Sequence, residues 1–518
     1  MTSQQSPGQA LVARRPSRLT LDHLLALTML ALIWLFISVL PLPPNDLWWH
    51  MAAGRTMVAE GAWMTNNRWA YTLPYDAPYV YQSWLSEVIM YGAWRLGDVP
   101  LLTLLRTTAI VAAYGLIAWA ALRRGGGNGK AAALAVLVAM LIGWGNWTLR
   151  PQTLAFVPGA TVIALLSEYA AGRLRRRWLL ALPPLIALWV NLHGSFVLGL
   201  ALVALTWLGL AIAALRAPRA GREEARRRLG ALTLAGAGCA LAAMLHPLGT
   251  GIFGYVRDMV GNAELQDRFV EWQPPRAELN LLSTGFWFYA TLFGLAALMA
   301  TGPRRPSAVE VLWFCGLGWL AVDGVRYAIW FALGVAPLLA GMLADRLGGR
   351  PAPAPRAVAA GYLLALGALA VATLPWLSPG SYLGPGAAGI FAESGRHRML
   401  LGSTTPIGAS EWLAENPIPG RFWVDQSYSS YTIWRLPEKQ VFADLRVELF
   451  PRAVWDDYFA ISRGDAQSLA LLDRWQITHL LIDRRYQEQL MALLRSTPGW
   501  CERYRDRDSS VFARCDAR

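Results

Sequence analysis

What most constrains this chain is a series of apolar blocks, each about twenty residues long, separated by short connections that are alternately arginine-rich and nearly neutral. About twenty residues of helix rise about 30 Å, the thickness of a bilayer's hydrocarbon core. The blocks fall at 21–42, 100–122, 131–146, 154–171, 178–192, 195–215, 229–246, 283–301, 308–322, 327–344 and 357–376. In lipid every backbone polar group must be satisfied internally, and a helix does this within its own segment. The expected fold is therefore a polytopic α-helical membrane protein with about eleven transmembrane helices. Composition agrees: 55% of the 518 residues are hydrophobic and only 16% are charged, too apolar for a soluble protein of this length.

The formal net charge of +13 would suggest nucleic acid in a soluble protein. Here the arginines cluster between apolar blocks, where they orient helices against an anionic leaflet, and no nucleic-acid partner is expected. Arg14, Arg15 and Arg18 precede the first block, and the basic connections after it are 123–130, 172–177, 216–228, 301–307 and 344–356. The connections between them, 146–153, 191–195 and 323–326 with two long ones, carry few positive charges or balanced signs. By the positive-inside rule this predicts a cytoplasmic N-terminal tail (1–20), a membrane domain (21–376) and an extracytoplasmic C-terminal segment (377–518) of a multi-pass cell (inner) membrane protein. The first block is longer than a signal-peptide core and has no small-residue cleavage site after it, so it reads as a retained anchor.

Two long outer loops, 43–100 and 246–283, hold most of the polar chemistry. The first contains two stretches that can lie as amphipathic helices on the membrane surface, DLWWHMAAGRTMVAEG and QSWLSEVIMYGAWRL. After 376 the composition changes to a glycine- and proline-rich linker and then a mixed segment. Helices are predicted at 407–415 and 486–495, and strands at RFWVDQ (421–426), QVFADL (440–445), ITHLLID (477–483), WCERYRD (500–506) and SSVFAR (509–514). That pattern suggests a small soluble α/β domain. Cys501 and Cys515 flank its last hairpin and can pair if the tail faces an oxidising compartment, which spacing alone leaves open.

Asp46, in PPNDLWWH directly after the first block, is the sharpest candidate. It reads either as a helix N-cap or as a general base at the lipid–water boundary, and one residue can do both. His50 lies one helical turn on, within reach of the same site or of a divalent metal. Asp76 and Glu87 are candidate second acids; for Glu87 the preferred reading is that it faces water, the alternative that it points into a cavity. Arg150, His193, His246 and Arg326 fall at outer helix ends. Singly each reads as an interfacial anchor, but together they place phosphate-compatible donors at one level of the membrane near Asp46, as an anionic lipid-linked ligand requires. Walker-type phosphate loops, Cys/His zinc spacing and Gly-x-Ser-x-Gly are absent, which removes support for an ATP-driven pump.

This arrangement resembles the GT-C superfamily of membrane glycosyltransferases, the protein O-mannosyltransferase-like and aminoarabinose transferase-like enzymes. The matching features are the acid after the first span, the long first outer loop, the many-helix core and the soluble outer domain. More narrowly, DLWWHMAAGR, YQSWLSEVIMY, NLHGSF, LHPLG, EWQPP and SSYTIWRLPEKQVFADLRVELF look like an uncharacterised prokaryotic subgroup placed beside them. Many family members carry two adjacent acids in the first loop, whereas Asp46 is followed by Leu47, Trp48 and Trp49, so a metal-assisted mechanism would need a partner acid from Asp76, Glu87 or another loop. The resemblance implies inverting transfer of a sugar from a polyprenyl phosphate carrier to an acceptor (glycan, lipid or protein) on the outer face. Asp46 would take the acceptor proton, with Arg150, Arg326 and His193 or His246 on the leaving phosphate. The alternative is a transporter, flippase or binding protein for lipid-linked saccharides, though the inverted repeats and broken helices common in transporters are not evident.

Overall fold

A computed structural model describes residues 19–262, 269–348, 353–377, 400–402 and 404–516. Arg14, Arg15, Arg18 and the linker at 378–389 lie outside the described residues. The membrane half is helical: α1 Leu21–Val39, α2 Leu47–Glu60, α3 Trp84–Arg124, α4 Gly129–Gly143, α5 Pro151–Ala170, α6 Leu182–Leu192, α7 Phe196–Leu215, α8 Arg222–Ala242, α9 Gly251–Val260, α10 Thr284–Thr301, α11 Ala308–Asp323, α12 Ala328–Leu347 and α13 Arg356–Ala372. Each expected span coincides with one of these helices. Among the described residues, seven segments are long and apolar enough to cross a membrane on those grounds alone. The others are shorter or more polar and rely on neighbours for burial.

The predicted surface stretch 82–96 and the predicted span 100–122 are joined in α3, with non-helical backbone at Gly97 and Asp98 marking the break. Asp98 takes φ 53°, a left-handed conformation that non-glycine residues adopt at a cost. This break separates the two parts of α3. α12 is the central element: Ala328–Met342 is almost wholly buried against α3, α4 and α11. Gly54 sets a close approach that matters below, since a Cβ there would lie 2.2 Å from the Glu87 carbonyl oxygen. The bare backbone lets α2 lie directly on α3.

At the far end of α3 the basic connections do more than orient helices. Glu168 holds Arg123 at 2.6 Å together with Arg173, and Glu310 holds Arg124 together with Arg304 at 2.9 Å. Both carboxylates are nearly inaccessible, so each needs its paired guanidinium groups.

The C-terminal domain is α/β as expected. Its sheet has β1 (Arg421–Val424), β2 (Ile477–Asp483), β3 (Trp500–Arg505) and β4 (Ser509–Arg514) in the order β1-β2-β4-β3, with β1 parallel to β2 and the other pairs antiparallel. β2 is buried on both faces, as an inner strand should be. Around it pack α14 (Ile407–Glu415), α15 (Gln426–Arg435), α16 (Arg452–Arg463), α17 (Ser468–Arg474) and α18 (Glu488–Ser496). QVFADL is a correction. Its alternation suggests a strand, but only Val441 bridges, to Ala70 of the first outer loop and to Phe422 of β1. The segment is a splice between domain and loop. Cys501 and Cys515 form a disulfide across the β3–β4 hairpin, and Cys239 and Cys315 are unpaired.

The domain is fastened to the first outer loop through a buried guanidinium. Arg446 bonds Asp444 at 2.6 and 3.0 Å, donates to Asn67 Oδ1 at 2.9 Å and to the Tyr81 hydroxyl at 3.1 Å, and lies between the rings of Trp69 and Tyr79. Neither Arg446 nor Asp444 is exposed. The two buried charges of this fastening thus match each other, which a buried ion pair requires.

Candidate active site

Asp46 stands at the N-cap of α2 without capping it: its side chain makes no cap hydrogen bond, and only its carbonyl enters the helix, accepting from the His50 N–H at 3.2 Å. The carboxylate turns instead toward Arg150, 3.5 Å away. Two devices fix the chain just before it. Arg106, a buried arginine of α3, donates to the carbonyls of Ile37 (2.8 Å), Leu40 and Pro41 (3.3 Å), satisfying the open end of α1. Leu42 exchanges backbone bonds with Leu400 and Gly402 at 2.7 and 2.6 Å.

Arg150 precedes Pro151 at the start of α5 and also meets Glu271 of the second outer loop at 3.1 Å. Arg326 approaches the same carboxylate at 3.9 Å and lies 3.9 Å over the Trp272 ring. The Val325 N–H donates to the Gln273 carbonyl at 2.9 Å, so the EWQPP segment and the turn before α12 are pinned together. His193 completes this group. Its Nδ1 accepts from the Ser195 N–H at 3.1 Å, which leaves Nε2 as the protonated nitrogen. In the same NLHGSF segment, Asn191 accepts from the Trp84 indole at 2.7 Å and donates to the Leu245 carbonyl at 2.8 Å, tying α6 to α3.

On the other side of Asp46, His50 Nδ1 lies 2.8 Å from Glu87 Oε1. Glu87 does not face water: it is 1% exposed, and its Oε2 has no partner. The amphipathic pattern of its helix does not tell a carboxylate that faces water from one that lines an internal cavity.

Asp46, His50, Glu87, Arg150, His193, Glu271 and Arg326 line a cavity of about 430 Å³. The C-terminal domain supplies part of the wall, with Gln426, Leu445, Val447 and Glu448. Glu448 accepts from the Tyr79 hydroxyl at 2.8 Å. Asp76, the other candidate second acid, is exposed and does not line this cavity. His246 is also outside: it is buried, with Nδ1 accepting from the Leu248 N–H at 3.1 Å and Nε2 donating to the Gln82 carbonyl at 3.0 Å. It braces two loops, with both nitrogens used. Sequence reasoning missed Glu271, Glu448, Tyr79 and Tyr255, all on the wall. Glu271 and Glu448 lie in segments singled out for resemblance, but an isolated loop carboxylate carries no periodic signal.

The environment divides the charges. Burial pushes the Asp46 carboxyl above its ordinary value; Arg150 opposes this and Glu271 adds to it. A quarter of the side chain remains open, toward the cavity. Burial would raise Glu271 too, but Arg150 and Arg326 outweigh it and hold the group below its ordinary value. Burial, then Arg326 and Arg150, push His193 down to about 3, and burial lowers His50 strongly with His193 and Arg150 adding. Both rings are therefore neutral near pH 7. Burial raises Glu448. The site presents two fixed cations, one fixed anion and an acid whose proton affinity is tuned upward, the combination a general base beside an anionic ligand needs. Among the described residues no group of three or more His, Cys, Asp or Glu converges to hold a metal.

No protein-family model matches the chain, and no curated protein shows a significant match to its sequence. Solved structures do share its fold. ArnT from Cupriavidus metallidurans bound to undecaprenyl phosphate superposes with a TM-score of 0.51 at 17% identity, over 94% of this chain and 97% of that one. The Archaeoglobus fulgidus oligosaccharyltransferase in complex with Zn and sulfate gives 0.52 at 12% identity, over 94% and 73%. The arabinofuranosyltransferase AftD from Mycobacteria gives 0.52 at 16% identity, over 96% of this chain and 42% of that one.

Proposed function

Because the chain has the fold of the GT-C membrane glycosyltransferases, we propose that it transfers a sugar from a polyprenyl-phosphate-linked donor to an acceptor at the extracytoplasmic membrane surface, with Asp46 as general base. The observation that carries this is the placement of Asp46 3.5 Å from Arg150, in a cavity that also holds Arg326 and His193. The ArnT structure bound to undecaprenyl phosphate supports the donor class. Asp46 takes the acceptor hydroxyl proton as the acceptor oxygen bonds to the anomeric carbon. The bond from that carbon to the phosphate oxygen breaks, and the electron pair leaves with the phosphate. A single displacement of this kind inverts the anomeric centre. Arg150 and Arg326 stabilise the leaving phosphate, and His193 can donate from Nε2.

Glu271 occupies the position between the two arginines that the phosphate would take. The donor phosphate displaces it, and anion exchange at fixed guanidinium groups keeps the site charge-balanced with or without donor. The Zn of the oligosaccharyltransferase structure raises the question of a metal. In this chain His50 and Glu87 are the nearest donors, and they are bonded to each other. Two ligands do not make a divalent-metal site, and no step is routed through one. The orientation proposed, with the N-terminus cytoplasmic and the C-terminal domain outside, rests on the arginine alternation and agrees with a disulfide in that domain.

The test is Asp46→Asn in purified full-length protein. Transfer from a polyprenyl-phosphate sugar is expected to fall by about 10²–10⁴-fold while undecaprenyl phosphate binding persists. Unchanged transfer would remove the base assignment. Donor binding without consumption by the unaltered protein would favour a transporter or binding protein.

A further inference from the structure

A second cavity, of about 920 Å³, lies at the seam between the first outer loop and the C-terminal domain. Its lining comes from 55–75 and 420–440, and none of it from a candidate membrane span. The first cavity, by contrast, reaches into the outer ends of α5, α7 and α12. The second is therefore open to water-borne molecules and offers no apolar channel for a lipid tail.

Its walls are cationic. Arg55, Arg68, Arg421 and Lys439 face a single lining carboxylate, Glu438. Arg68 is bound to Glu60 through both oxygens. The other three cations have no carboxylate partner within ion-pair distance among the described residues, and carbonyl oxygens hold them in place instead. Arg55 donates to Trp434 O at 3.2 Å and lies 4.4 Å over that indole. Arg421 donates to Trp475 O at 3.1 Å and lies over Tyr71, and Lys439 donates to Ile418 O. An arginine has five N–H donors, so most of theirs remain for an anion. Tyr75, an exposed ring on this wall, supplies an aromatic face of the kind that packs on sugar rings.

Arg446 links the linings of the two cavities. Trp69 lines the second and Tyr79 the first, and Arg446 lies between them at 4.9 and 5.2 Å. α2 connects them as well: Asp46 is in the first and Arg55 in the second, about 13.5 Å apart along the helix. We propose that the second cavity binds an acidic saccharide, a sugar chain carrying carboxylate or phosphate groups, and that this chain is the acceptor. The acceptor role rests on the transferase reading above; the binding site does not. Recognition is by cations held ready on carbonyls, which gives selectivity for charge together with the stacking of sugar rings.

The probes are hexagalacturonate and maltohexaose, titrated calorimetrically against the full chain in detergent. Hexagalacturonate is expected to bind at least tenfold more tightly than the neutral hexamer, and to weaken as salt rises. Arg421→Gln combined with Lys439→Gln should weaken it at least tenfold while undecaprenyl phosphate binding stays unchanged. If that pair lowers the thermal transition, Lys439→Gln alone is expected to give at least a threefold loss. Equal affinity for the two hexamers, or unchanged binding in the variants, overturns the site. Phosphatidylglycerol vesicles that compete with hexagalacturonate overturn it in favour of a lipid headgroup. If the unaltered chain binds hexagalacturonate through these residues but never binds undecaprenyl phosphate, the transferase reading fails and the saccharide site stands. If it binds undecaprenyl phosphate and not hexagalacturonate, the reverse holds.

Discussion

Glu271 and Arg150 are paired at 3.1 Å, and the same guanidinium lies 3.5 Å from Asp46. One arginine thus serves the proposed base and an anion that stands where the donor's phosphate would go. Glu271→Gln removes the competing charge and should tighten undecaprenyl phosphate binding by about three- to tenfold, the scale of a partly exposed ion pair. Weaker binding in that variant would mean that Glu271 organises the arginines rather than holding their place. Arg150→Ala should weaken it in either case.

The pH profile of transfer follows from Asp46. A base must be ionised, and burial raises this carboxyl above its ordinary 3.8. The acid limb of kcat/KM should therefore lie above the usual aspartate range, and should move down in Glu271→Gln, where one raising charge is gone. The same shift has a stability side. A carboxyl whose folded pKa is raised ionises first in the unfolded chain, so its contribution is lost as pH rises through the folded value. Asp46→Asn is expected to melt no lower than the unaltered protein at pH 7, and higher if the penalty is uncompensated. A marked fall in its transition would count against the strained-base picture.

The domain seam gives a stability prediction. Asp444→Ala leaves the Arg446 guanidinium buried without its carboxylate, and should cost on the order of 3–5 kcal/mol in the denaturant transition that reports the outer domain. Replacing both residues by apolar ones of similar volume should cost much less.

His479 sets an acid window. Its ring stacks on Phe422 at 4.5 Å, and burial pushes its pKa down to about 3. The unfolded chain binds this proton near pH 6.5 and the folded domain near 3, so stability falls as pH drops between those values, by up to about 1.4 kcal/mol per pH unit for one group. His479→Phe should flatten that slope in pH-dependent melts. An unchanged slope would assign the acid sensitivity elsewhere.

Much of the membrane half was legible because its physics is local. Lipid demands about twenty apolar residues per crossing, and arginines mark the turns. The site was half legible. Asp46, Arg150, His193 and Arg326 all reach the cavity because each sits at an outer helix end, where topology alone places it. His246 and Arg150 look alike in sequence, and only the fold shows that the histidine spends both nitrogens on loop backbone. Glu87 was misplaced because amphipathicity tells inside from outside but not a filled core from a hollow one. QVFADL alternates as a strand does, but its pairing is limited to Val441, which the first outer loop and β1 share. Long-range partners of that kind leave no mark on the local pattern.

Tyr79 and Glu448 meet across 369 positions of chain. On a ribosome, Asp46 and the arginines around it reach the membrane long before the last wall of their cavity has been made. A nascent or truncated chain therefore has the proposed base, the proposed phosphate site and an open side through which water can enter. Completion of the polypeptide encloses these charges, so that, on the transferase reading proposed above, quality control of the C-terminal domain doubles as control over when chemistry can begin.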